Sequence, residues 1–178
     1  MMFAYANDND GNYPDGKSST EVFQKLLDGQ YCSDPNISYI SLPGKTKAIP
    51  GQKLKPENVS WDVTSPLNQN SPNELPVVFM TGYKVKYVSG GAAIPLVKPY
   101  PPFWTRTWLG WWQGEPNPPR NFEALDPGIA VCYKSNSAKY IKLETAPNGE
   151  GAIPNFISPE FKPDGMPYRQ LTPDGVLP

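Results

Sequence analysis

Met1-Met2-Phe3-Ala4-Tyr5-Ala6-Asn7-Asp8-Asn9-Asp10-Gly11-Asn12-Tyr13-Pro14 opens the chain, and its reading decides the fold. Met2, Phe3 and Ala6 follow helical spacing with no N-capping residue before them, so the run reads as the exit end of a longer helix. Its stop is well marked. Asn7 to Gly11 competes for backbone hydrogen bonds and tolerates left-handed conformation, and Pro14 prevents the helix from resuming.

A second helix follows. Ser18-Ser19-Thr20-Glu21 has the form of a capping box, Val22, Phe23, Leu26 and Leu27 make one apolar stripe, and Gly29 is the expected stop. That stripe should lie against a sheet. Tyr31 to Ile40 then runs out as extended chain through Asp34-Pro35.

Composition sets the class. The chain has 178 residues, 38% of them apolar, which is one domain's length with a modest core. Its 23 prolines and 15 glycines favour short strands and long ordered loops over helix. A net charge of −1, a pI near 5.5 and no evident basic block argue against nucleic acid or an anionic membrane surface as a charge partner. No stretch reaches the roughly 20 apolar residues that span a bilayer. Histidine is absent, which removes Ser-His-Asp triads, Cys-His pairs and HExxH zinc sites. No carboxylates stand in a catalytic pattern, so the expectation is a protein without enzymatic activity and without a cofactor.

Residues 43–76 read as a long surface connection or insertion with one short strand at Val59 to Val63. Strands are expected at Pro76 to Thr81 and at Tyr83 to Val88. Gly90-Gly91 then turns the chain into Ala92 to Val97. Gly128 to Tyr133 and Ala138 to Leu143 flank Ser135-Asn136-Ser137 as a further hairpin. The tail, 144–178, is Pro/Gly-rich with little periodicity. Pro-Asp-Gly recurs at Pro14, Pro163 and Pro173 as a turn signature.

The helix end, the stretch Tyr5-Ala6-Asn7-Asp8-Asn9-Asp10-Gly11-Asn12-Tyr13-Pro14 and the short helix before Asp34-Pro35 resemble the pseudopilins of bacterial type II secretion, the protein G-like, prepilin-type group related to type IV pilins. The likeness is dense over residues 1 to about 37 and weaker beyond. Ile129 to Ile141 keeps the apolar rhythm of that family's hairpin, with Ser-Asn-Ser replacing its Asp-Gly-His turn. The resemblance implies an α+β, pilin-like domain over 1–178. In it, the end of a truncated N-terminal helix (1–14) and the short helix pack on one antiparallel sheet of four to six strands wrapped by Pro-rich loops.

It further implies a filament subunit in the cell envelope, its head periplasmic and its anchor in the bacterial inner membrane. The membrane-spanning half of the first helix would lie upstream of Met1. The implied partners are other pseudopilin subunits and secretion-machinery proteins.

Candidate sites are few. Asp8-Asn9-Asp10-Gly11-Asn12 fails as an EF-hand, since aligning Gly11 to the loop glycine puts Ala6 at the first ligand position and Lys17 at the bidentate one. The calcium-binding acidic loop that the resemblance implies near the C-terminus meets only scattered Glu150, Glu160, Asp164 and Asp174, so calcium stays unassigned. Cys32 and Cys132 are either a disulfide, closing a loop worth at most about 4.7 kcal/mol in the chain-entropy model, or two buried thiols. Trp104, Arg106, Trp108, Trp111 and Trp112 crowd one proline-flanked stretch. They read as core packing, a protein interface or a carbohydrate platform, the last two making the chain an extracytoplasmic binding module.

Overall fold

The computed structural model describes residues 1–96, 128–145 and 151–177. The first helix, α1 (Met2–Asp8), ends as its composition requires. Asp10 takes a left-handed φ of 52° and the Gly11 N–H returns to the Ala6 carbonyl at 2.8 Å, a bond that caps the last turn.

Helix α2 (Ser19–Asp28) starts on Ser18, whose hydroxyl accepts from the Glu21 N–H at 3.2 Å. The reciprocal half of the box is shifted by one residue: the Glu21 carboxylate accepts from the Lys17 N–H. Gly29 stands at the end with φ −80°, and the left-handed residue is Gln30 at 60°. Tyr31 and Gln30 return N–H groups to Leu26 and Leu27, which completes a Schellman stop without glycine at its left-handed position.

Among the described residues ten strands follow in chain order: β1 (Trp61–Ser65), β2 (Pro76–Met80), β3 (Tyr83–Val85), β4 (Ala93–Pro95), β5 (Gly128–Tyr133), β6 (Ala138–Lys142), β7 (Glu144–Thr145), β8 (Gly151–Ala152), β9 (Arg169–Thr172) and β10 (Gly175–Leu177). Six form one antiparallel sheet in the order β10-β9-β1-β2-β5-β6, while β3-β4 and β7-β8 are separate ribbons. The chain is therefore α+β, with two helices and an antiparallel sheet among the described residues.

Register assigns the faces, because residues directly opposite in an antiparallel pair share one. Val63 lies opposite both Val78 and Leu171, and this face takes the Val22, Phe23 and Leu26 stripe of α2. Asp62 lies opposite Phe79, Phe79 opposite Val131, and Thr64 opposite Gln170 on the other face. That second face is covered by the β3-β4 ribbon and by Ile153, Phe156, Ile157 and Phe161, all fully buried. The Phe156 ring meets Phe79 edge-on at 5.7 Å, and its carbonyl accepts from the Tyr133 hydroxyl at 2.8 Å.

The tail therefore differs from its expectation. β9 sits inside the sheet, and at four residues it is too short to display period-2 alternation. Residues 43–76 are likewise integral: Ala48, Leu54, Val59, Leu67 and Leu75 are buried, and the expected strand is displaced to Trp61–Ser65. β3 ends at Val85 because the chain turns there, with Gly91 so close to the Lys86 carbonyl that a Cβ would stand 1.9 Å from it. Of the three Pro-Asp-Gly turns, only that at Gly165 uses a positive φ.

One polar group rivets the second face. The Gln170 amide donates to the Asp62 carboxylate and to the Tyr83 carbonyl, each at 2.6 Å, while its oxygen accepts from the Val85 N–H at 3.0 Å. Gln170→Leu would remove at once a bond to a buried carboxylate and the bonds that hold the Tyr83 carbonyl and the Val85 N–H. The expected loss is about 3 kcal/mol or more in urea unfolding; a loss under about 1 kcal/mol would contradict the assignment.

Candidate functional site

The junction between α1 and the rest of the domain is held by several hydrogen bonds and ring contacts. Beyond the α1 cap, Tyr13 donates its N–H to the Leu67 carbonyl and Gln69 donates to the Gly11 carbonyl, at 3.0 and 2.8 Å. Asn12 bridges Asn68 in the same short antiparallel contact. The partner segment leaves β1 through a cis Ser65-Pro66 bond. The Phe3 ring stands edge-on to Tyr13 at 5.5 Å, and Tyr5 packs on Tyr31 at 5.2 Å. Helix α1 thus meets the domain through its aromatic side chains and its cap.

Asp15 ties three elements together at this junction. Its carboxylate accepts from the Ser65 hydroxyl of β1, the Gly16 N–H and the Arg169 guanidinium of β9, the last at 3.3 Å. Its backbone carbonyl accepts from Lys25 of α2 at 2.7 Å. Burial pushes the carboxyl up, but the bonds from Ser65 and Gly16 and the charge of Arg169 outweigh it and hold the group below its ordinary range.

The acidic cluster has local duties. Asp8 accepts from the Tyr31 hydroxyl at 3.0 Å, and the Asn9 amide returns to the Tyr5 carbonyl at 2.8 Å. Among the described residues, no three of Cys, Asp and Glu gather where an ion could be held. Asp164, in the tail, accepts from the Tyr168 hydroxyl and the Met166 N–H, and Glu150 lies outside the described residues.

Cys32 and Cys132 are separate free thiols, so the disulfide is not made. They belong to different elements. Cys32 follows α2 and its thiol contacts the Asp34 carbonyl at 3.2 Å, whereas Cys132 lies within β5, where burial raises its pKa and keeps the thiol protonated. Trp104, Arg106, Trp108, Trp111 and Trp112 lie outside the described residues.

Asp62 is the one carboxyl among the described residues whose pKa is pushed up, to about 6, by burial that outweighs the Gln170 bond. At 0% exposure, with Gln170 at 2%, it is sealed from any substrate. Access is found elsewhere. An open groove of about 600 Å³ runs between the C-terminal half of α2, the Cys32 turn and the Gly51 to Lys53 turn.

Residues far apart in sequence compose these features: Asp15 with Ser65 and Arg169, Asp62 with Gln170. No local motif announces them, although a Gln between Arg169 and Leu171 in a short strand is a recognisable oddity. No protein-family model, curated protein or solved structure matches the chain.

The depressed pKa of Asp15 stabilises the fold above the unfolded-state value near 4, and the contribution is lost as pH falls through the folded value. Since Asp15 and Arg169 are nearly half exposed, Asp15→Asn should cost no more than about 1 kcal/mol at neutral pH. The difference should vanish in acid. An undiminished difference below about pH 3, measured by urea titration, would contradict the assignment.

Proposed function

We propose that the chain is the globular head of a non-enzymatic, pseudopilin-like subunit of a type II secretion or type IV pilus-like filament. In this reading α1 is the lower end of a longer helix that anchors the protein in the bacterial inner membrane, with the head in the periplasm. Its partners are other filament subunits and the secretion machinery. Assembly is head-to-tail, the kind of heterologous contact that builds an open helical polymer when its rotation does not close.

The asymmetry of α1 carries the reading. Its C-terminal end has a complete hydrogen-bonded stop, and the helix is seated in the core by Met2 in its first turn and Ala6 in its second, at 5% and 2% exposure. Its first turn has no side-chain cap and no acidic residue. A seven-residue helix is too short to persist on propensity alone, so its firm docking suits the base of a longer rod. The pinned turn from Gly11 to Tyr13 would pass force and orientation from rod to head. Among the described residues, no helix is long and apolar enough to cross a membrane.

The gene upstream of Met1 tests this directly. The expected finding is a short basic leader, a Gly-Phe-type processing site and an uninterrupted apolar run of about 20 residues. The full-length product should fractionate with the inner membrane, with its head open to protease from the periplasm, and should enter filaments. A start at Met1 with no such run would overturn the reading.

A further inference from the structure

We infer that the loop from Lys45 to Lys55 is a lipid-facing surface that rests on the anionic headgroups of a bilayer. The net charge of −1 conceals a local excess of the opposite sign. Lys45, Lys47, Lys53 and Lys55 fall in Lys45-Thr46-Lys47-Ala48-Ile49-Pro50-Gly51-Gln52-Lys53-Leu54-Lys55, which contains no acid. Lys47, Lys53 and Lys55 are exposed. Between them Ile49 is 60% exposed, an aliphatic tip that no part of the described domain covers.

The loop is held in one shape. The buried Asn58 amide donates to the Thr46 and Lys47 carbonyls, both at 3.2 Å, while its oxygen accepts from the Lys55 N–H at 2.9 Å. The Leu54 N–H bonds to the Gln24 side chain of α2 at 2.7 Å, and Leu54 and Ala48 are buried. The inner side of the loop is therefore anchored, and its lysines and Ile49 are displayed outward. Lys45 is the exception, its ammonium bonded to the Pro56 carbonyl at 2.9 Å.

Position supplies the partner. Met1, Ile37 and Leu54 line one crevice with Cys32 and Pro35, and these last two also line the groove beside Gly51 and Lys53. The loop thus adjoins the end of the molecule at which α1 starts, where Ile37 is also 51% exposed. This step rests on the proposed function: if α1 continues into a bilayer, that end is the one facing it. Asp28, Asp34 and Glu57 are nearby acids, Asp174 adds its charge beside Lys45, and together they offset part of the charge without occupying the Ile49 tip. Lysines at a charged bilayer surface attract it additively, and a small aliphatic residue inserts at the headgroup boundary. An acidic protein surface would use the lysines but leave Ile49 without a role.

The full 178-residue chain is sedimented with vesicles of equal parts phosphatidylcholine and phosphatidylglycerol, and with vesicles of phosphatidylcholine alone. Binding to the anionic vesicles only, weakened by salt, is expected. The triple variant Lys47→Gln/Lys53→Gln/Lys55→Gln should bind about tenfold or more weakly, Ile49→Ser a few-fold more weakly, and a Lys84→Gln/Lys86→Gln/Lys162→Gln control with the same charge change should bind as the parent does. All substituted side chains are exposed, and thermal melts establish that each variant folds. Equal loss in the control, no effect of Ile49→Ser, or no pelleting would each overturn the inference. The filament reading is judged separately by the upstream gene sequence and filament entry, so each can fail alone.

Discussion

The side-chain amide of Gln170 is the contact on which the layers of this domain depend. A glutamine buried in a strand must use both its donors and its acceptor, and here one donor binds within the sheet while the other donor and the acceptor cross to the covering ribbon. Its partners are Asp62 in the neighbouring strand and the backbone of Tyr83 and Val85 in the covering ribbon. The Thr64 and Tyr87 hydroxyls, 2.9 Å apart, repeat the connection nearby. Apolar burial supplies the attraction between layers, but it is non-directional. The amide gives the ribbon a position, since any sliding of β3 would strand polar groups in a region without water.

With α2 on one face and the β3-β4 ribbon with its Phe156 segment on the other, the central strands of the sheet are largely buried, while β6 and Val176 of β10 stay exposed. What remains for interaction is the periphery: the outer edges of β6 and β10, the groove under α2, and the loop surface next to the start of α1. Lys139 and Lys142 charge the β6 edge, a common guard against strand addition. A subunit that must orient on a membrane and against neighbours would need such polarity between its ends. In the proposed filament subunit, the tied junction at Asp15 and the lysine loop would set that orientation.

Local signals were legible in the sequence and distant ones were not. Both helices, their stops and the hairpin around Asn136 were readable because capping and turn chemistry is written within a few residues. The tail was not, because β9 has four residues and Gln170 finds Asp62 across 108 positions. Gly29 drew attention as a helix stop, yet Gln30 carries the left-handed conformation, since the hydrogen bonds from Gln30 and Tyr31 repay its strain. The lysine loop was missed, because averaging over the whole chain cancelled its charge.

The dependence on Gln170 and Asp62 is best tested by the unfolding free energy of the parent and of Asp62→Asn between about pH 4 and about pH 8. The folded carboxyl titrates near 6, above its unfolded value, so its favourable contribution is complete below the unfolded pKa and is lost as pH rises through the folded one. The parent should therefore lose roughly 3 kcal/mol across that window, while the variant, which still accepts from Gln170, stays nearly flat. Equal pH dependence in the two proteins would contradict a buried carboxyl clamped by the Gln170 amide.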